Sequence, residues 1–179
     1  KENPGKVTVG TTGVGSDDHL AMMKFEKLTG TTLNHVPFKG AGEVRNAIQS
    51  GQIMLAAMNV GEVLAYQKGG TDIRLLGSMS QQRSALAPDV PTFKEQGYDV
   101  IMASLRGIAA PKGLPEDIAT KLRVAVQKAS ADPEFIAKAK TMFVPLRYMD
   151  NKTYHDELDQ AETDFKALWQ ASPWSEKTQ

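Results

Sequence analysis

The chain has 179 residues, of which 41% are hydrophobic and 23% charged, with 15 glycines and nine prolines; this ordinary globular usage excludes fibrous and intrinsically disordered classes. Lys plus Arg equals Asp plus Glu at 21 each, so no net field draws the chain to nucleic acid or to an anionic membrane. Cysteine is absent, which removes thiol nucleophiles, disulfides and thiolate-bound metals together, and the longest apolar run, 53–58, is far short of the roughly 20 residues that cross a bilayer.

The β-branched run 7–11 predicts a strand that ends in Gly13-Val14-Gly15-Ser16. Ser16 suits a helix N-cap, Asp17 and Asp18 suit the positive end of that helix, and Ala21, Phe25 and Leu28 recur at helical spacing until Gly30. Residues 33–38 predict a second strand, followed by a short helix with Val44, Ala47 and Ile48 on one face and Gly51 as its stop. The apolar runs 53–58 and 73–79 predict strands covered on both faces, with a helix around Val63, Leu64 and Tyr66 between them. Such alternation argues a parallel or mixed sheet with helices on both sides, an α/β class.

Residues 91–97 suggest a short helix, and 100–110 is an extended stretch long enough to cross between two lobes. Beyond it the composition turns helical. Pro115 fits a first helical position, with an apolar stripe at Ile118, Leu122, Ala125, Val126 and Ala129. Asp132-Pro133-Glu134 opens a helix carrying Phe135, Ile136, Ala139 and Phe143; 144–149 suggests a brief strand; Asp150 or Asn151 caps a last helix striped by Tyr154, Leu158, Ala161, Phe165, Leu168 and Trp169. The predicted division falls at the extended stretch, into 1–105, an α/β part, and 106–179, a crossing strand with a helical return.

A glycine turn between strand and helix aims backbone N–H groups at one spot, where an anion is stabilised by unpaired donors and the helix dipole. Thr11, Thr12, Gly13, Gly15 and Ser16 stand where such a cradle forms; the same residues also make sense as a tight connection with Ser16 acting only as a cap. The third glycine of a dinucleotide fingerprint is missing, the second strand ends in Phe38-Lys39 where that fold holds an acid, and no phosphate-binding P-loop occurs, so no cofactor is expected. His19, His35 and His155 stand apart without ligand spacing, so no metal is expected either, and no assembled nucleophile or acid–base pair is visible. Arg106 interrupts an otherwise apolar stretch and must reach solvent or pair; from a crossing strand it would meet a carboxylate in the cleft.

Asn3-Pro4-Gly5-Lys6, Gly13-Val14-Gly15-Ser16 with His19, and His35-Val36-Pro37-Phe38-Lys39-Gly40 resemble the extracytoplasmic solute receptors of tripartite tricarboxylate transporters, the Bug or TctC-like proteins. The likeness continues through Arg83-Ser84, Pro88-Asp89-Val90-Pro91-Thr92, Gly107, Ala110-Pro111-Lys112-Gly113-Leu114-Pro115 and Ala131-Asp132-Pro133-Glu134. It implies a type II periplasmic-binding-protein fold of two α/β lobes around a cleft, a small organic acid as ligand, membrane components of the transporter as partners, and no chemistry. By position it implies Thr12, Gly13, Gly15, Ser16, Lys39, Gly40, Asn59 and Ser104 as ligand-binding residues. The resemblance also makes 1–105 the second lobe, bearing the ligand cleft, and 106–179 the return to a first lobe whose preceding elements are absent from this chain, and it implies a periplasmic location with the signal segment likewise absent. Where the family carries acids in its third strand this chain has Met54 and Met58, and Leu105-Arg106 replaces an aromatic residue before the glycine of the crossing strand. Two other readings share these features: a cofactor-binding α/β enzyme, and a noncatalytic ligand sensor built on the same lobe.

Overall fold

The computed structural model describes residues 1–174. Three parallel strands, β1 (Thr8–Thr11), β2 (Asn34–Pro37) and β3 (Leu55–Ala56), form a sheet of order β2-β1-β3, linked by α1 (Asp17–Thr29) and α2 (Ala41–Gln49). The register pairs Val9 with His35 on one side and with Leu55 on the other. Because the order reverses about β1, right-handed crossovers carry α1 and α2 to opposite faces. The side chains follow the period of two along each strand. Val44, Ala47 and Ile53 form a buried cluster packed by Val36, Phe38, Ala56 and Met58. Gly10 faces that cluster and leaves no room for a Cβ beside Ile53 and Val44. Val9, Thr11 and His35 fall on the α1 face.

Local chemistry sets the helix ends as expected. The Ser16 hydroxyl accepts the His19 N–H at 3.2 Å, and Gly30 ends α1 in the left-handed region. Asp132 caps α5 (Pro133–Thr141) and Asp150 caps α6 (Asn151–Ala171), each accepting the N–H three residues on. Pro115 is the N-cap of α4 (Glu116–Ser130), one position earlier than its fixed φ suggests.

The strand expectations are corrected in three places. Of 53–58 only Leu55–Ala56 joins the ladder: the Ile53 N–H bonds to Ala47 O at the end of α2, and Met54 is exposed. Residues 73–79 stay extended without a ladder, joined to the rest by the isolated bridge Ser78–Thr92, by the Met102 N–H to Met79 O, and by the Gln67 and Gln96 side-chain amides donating to Ile73 O and Leu76 O. Residues 91–97 form successive turns where a helix was expected, and 144–149 is irregular where a strand was expected, its Pro145 having no ladder donor. After α3 (Val60–Lys68) no regular element appears until Glu116. The α4 stripe is largely uncovered: α4 has no buried residue, and Ile118, Leu122 and Val126 are exposed.

Candidate functional site

Parallel strands place their following loops at one edge of the sheet, and the reversal about β1 opens a crevice there. The loops after β1, β2 and β3 hold seven of the nine expected ligand residues. The loop after β1 contains half-buried Thr12, Gly13 and Ser16 with exposed Gly15; the loop after β2 contains exposed Lys39 and Gly40, the N-cap of α2; the loop after β3 contains Asn59, the N-cap of α3. These loops converge. Gly13 stands against the Phe38 carbonyl, Thr12 donates to Asp18 Oδ2 at 2.7 Å, and the Glu62 carboxylate both accepts the Asn59 N–H and acts on the charge of Asp18.

The loop after β1 is more self-contained than a bare anion cradle. The Gly15 N–H donates to His19 Nδ1 at 3.1 Å, the Ser16 N–H to Gly13 O at 3.3 Å, and the Ser16 hydroxyl to Gly13 O at 2.8 Å. Gly15 and Ser16 therefore use their backbone donors internally. In this loop, the N–H groups of Val14 and of Asp17 and Asp18 in the first turn of α1 are left for solvent or ligand. Gly15 has φ +78°, a backbone conformation that favours glycine, and a Cβ on it would stand 3.2 Å from Trp174 Nε1, close enough that the indole must shift slightly.

Beneath this loop lies a buried titratable group that periodicity alone did not mark. His19 and His35 stack with ring centroids 4.0 Å apart and planes 6° from parallel, and Trp174 meets His19 edge-on. His35 Nε2 is 2.6 Å from the Thr11 hydroxyl. Burial holds the His35 pKa down to about 4, with His19 adding to the effect, and burial also lowers His19. The Asp18 carboxyl is pushed up to about 6 by burial, against the Thr12 hydroxyl bond that favours its charge, with Asp17 and Glu62 raising it further. The available signal for this group was the pairing of Gly15-x-x-x-His19 with a histidine in the adjoining strand.

Ser104 and Arg106 belong to the extended stretch and bond to each other. The Arg106 guanidinium is exposed and donates to the Ser104 hydroxyl and to Leu105 O. Among the described residues, no cluster of acids and histidines could hold a metal ion.

A strand–glycine loop–helix unit stands at the switch point of a small parallel sheet, the place where open α/β sheets form a crevice. Residues 1–171 match the family model described as the tripartite tricarboxylate transporter family receptor, TctC, and the chain belongs to that family. It is 33% identical over 154 residues to the "UPF0065 protein in gbd 5'region" of Cupriavidus necator, covering 86% of this chain and 46% of the relative. It is 32% identical over 130 residues to BugT of Bordetella pertussis, covering 72% and 40%. The crystal structure of a TctC solute-binding protein from Polaromonas superposes with a TM-score of 0.80 at 29% identity, over 96% of this chain and 58% of that one. A Rhodopseudomonas palustris protein, Rpa4515, solved with adipate, shares the fold with a TM-score of 0.82 at 20% identity, over 97% and 58%. The chain thus spans less than half the length of these curated relatives. No helix among the described residues is long and apolar enough to cross a membrane.

Proposed function

We propose that this chain is the cleft-bearing lobe of an extracytoplasmic, periplasmic receptor that captures a small organic acid and delivers it to the membrane components of a tripartite transporter, without catalysis. The observation that carries the reading is the convergence of the three loops at the carboxyl edge of β1, β2 and β3, with the glycine turn opening α1 beside it. The receptor family and the adipate in the related Rhodopseudomonas palustris structure support a dicarboxylate, as does the malate bound by MatC of the same organism, a structure of like fold.

The ligand residues are Thr12, Gly13, Gly15, Ser16, Lys39, Gly40 and Asn59. Lys39 supplies the cation and the first-turn N–H groups of Asp17 and Asp18 the directional donors, while the Thr12 and Ser16 hydroxyls, which donate to Asp18 and to Gly13 O, hold the loop in shape. Ser104 and Arg106 belong to the same proposal from the extended stretch, outside the three converging loops, where they bond to each other and to Leu105 O. The division into 1–105 and 106–179 belongs to the same proposal, supported by a core centred on α2 and the strands it covers and by the sparse cover of α4.

Calorimetric titration of the chain with adipate and with malate tests the reading. Binding that falls at least about tenfold in Gly15→Val, where an L residue in the left-handed region costs roughly 1–2 kcal/mol and meets Trp174, is the expected result. Equal affinity in parent and variant, with both folded by circular dichroism, refutes the assignment of the loop.

A further inference from the structure

A backbone N–H can only donate, so the Gly15 N–H to His19 Nδ1 hydrogen bond at 3.1 Å fixes the chemistry of that imidazole: Nδ1 is unprotonated and the ring is neutral. His19 is buried, and its flat face rests on the equally flat face of His35. A proton on His19 has two local consequences. Nδ1 changes from acceptor to donor and confronts the Gly15 N–H, and the ring acquires a charge with a second titratable ring 4.0 Å away.

We propose that His19 is a positioning residue of the 12–16 loop: its unprotonated Nδ1 holds the Gly15 turn in place, the His35 ring backs it, and a proton on Nδ1 releases the turn. The inference rests on the proposed function only for its consequence, the loss of ligand capture once acid protonates His19. The groups around the pair come from several elements. On α1 the neighbouring carboxylates are Asp17 and buried Asp18, the latter held by Thr12; on α3 Glu62 acts on Asp18; on β1 the Thr11 hydroxyl touches His35; from the C-terminal end Trp174 meets His19 edge-on. Burial, and no charged neighbour, is what lowers His19, so the proton is resisted down to below the ordinary range near 6.5 and then admitted at the expense of the turn.

The discriminating variant is His19→Asn, whose side-chain oxygen accepts the Gly15 N–H and does not titrate. The ligand-free chain is followed by Gly15 amide exchange, corrected for its intrinsic pH dependence, and by tryptophan fluorescence, with Trp174 in edge contact with His19 as the reporter. As the pH is lowered from about 7.5 through the ordinary histidine range and below it, Gly15 protection in the parent is expected to fall, by about tenfold for each pH unit once His19 takes up its proton, while His19→Asn stays flat. His19→Leu, which has no acceptor, is expected to lack Gly15 protection at every pH while retaining its helical circular dichroism.

Identical pH profiles in the parent and His19→Asn overturn the inference, as does full Gly15 protection in His19→Leu. Adipate affinity measured across the same range separates the two readings. Affinity that follows Gly15 protection in the parent but stays level in His19→Asn relative to it supports both. The expected exchange profiles with no adipate binding at any pH support the positioning role and overturn the ligand assignment.

Discussion

Gly61 lies in the first turn of α3, and a Cβ built on it would overlap the backbone carbonyl oxygen of Phe143 and stand 3.2 Å from the carbonyl carbon. Phe143 itself adopts φ +56°, outside the range its side chain prefers, and lies 5.6 Å from the Lys68 ammonium across the same interface. Two effects of Gly61→Ala compete. Helix propensity favours alanine by up to about 1 kcal/mol. Against it, an ordinary carbon–oxygen contact needs about 3.3 Å, so the 142–144 segment must retreat by roughly 1 Å from a backbone position with no flexible end to yield, an overpacking cost of about 1–3 kcal/mol.

The clash wins, and the variant is expected to lose about 1–2 kcal/mol in urea unfolding followed by circular dichroism, with faster proteolysis around Phe143. Ala65→Gly, at an exposed position of the same helix, serves as the control and loses about 1 kcal/mol through propensity alone. Should Gly61→Ala stabilise the chain while Ala65→Gly destabilises it, propensity governs both sites and the close docking of α3 on Phe143 is refuted.

Asp18 and the histidine pair make opposite demands on pH. The folded pKa of Asp18 is raised to about 6 from 3.8, so the native state binds the extra proton between those values and the burial penalty is fully present above about 6. Asp18→Asn is therefore expected to stabilise the chain at pH 7.5 by up to about 2 kcal/mol and hardly at all near pH 4, as read from urea midpoints; an effect equal at both values removes the case for a strained carboxylate. His35, lowered from 6.5 to about 4, contributes stability that is complete above about 6.5 and lost as pH falls toward 4, so Asp18→Asn should also expose a steady acid loss that His35→Gln reduces. Val44 is fully buried in the cluster on the α2 face, and Val44→Ala is expected to cost about 2–3 kcal/mol; a loss under about 0.5 kcal/mol would place the core elsewhere.

The alternation through α2 was readable because its signals are local. β-Branched runs, Ser16 and Asp132 as caps and the glycines that end helices act within a turn of where they stand. Residues 53–58 and 73–79 misled because an apolar run reports burial and not ladder pairing. Ile53 is buried by bonding back to the end of α2, and 73–79 finds its partners through isolated contacts at Thr92 and Met102. The glycine loop was legible as a candidate site; its internal hydrogen bonding was not, because His19 meets His35 only after the parallel register sets His35 beside Val9 on the α1 face. Trp174 joins from the far end of the chain, a proximity no local pattern encodes.

The central place of β1 has a consequence for the order in which the molecule assembles. β1 precedes both of its neighbours in the chain, pairing Val9 first with His35 and then with Leu55. A strand flanked on both sides cannot be completed while it is being synthesised; it waits, with its backbone unpaired, until two later segments have emerged. The two loop closures are unequal in length, so β1–α1–β2 forms first and β3 closes the sheet afterwards, slowed by the larger search. During that interval the β3 side of β1 is an open edge able to recruit a foreign strand. Misassembly of this lobe is accordingly expected to begin along Thr8–Thr11, and a nascent chain halted before Leu55 emerges should be its most aggregation-prone form.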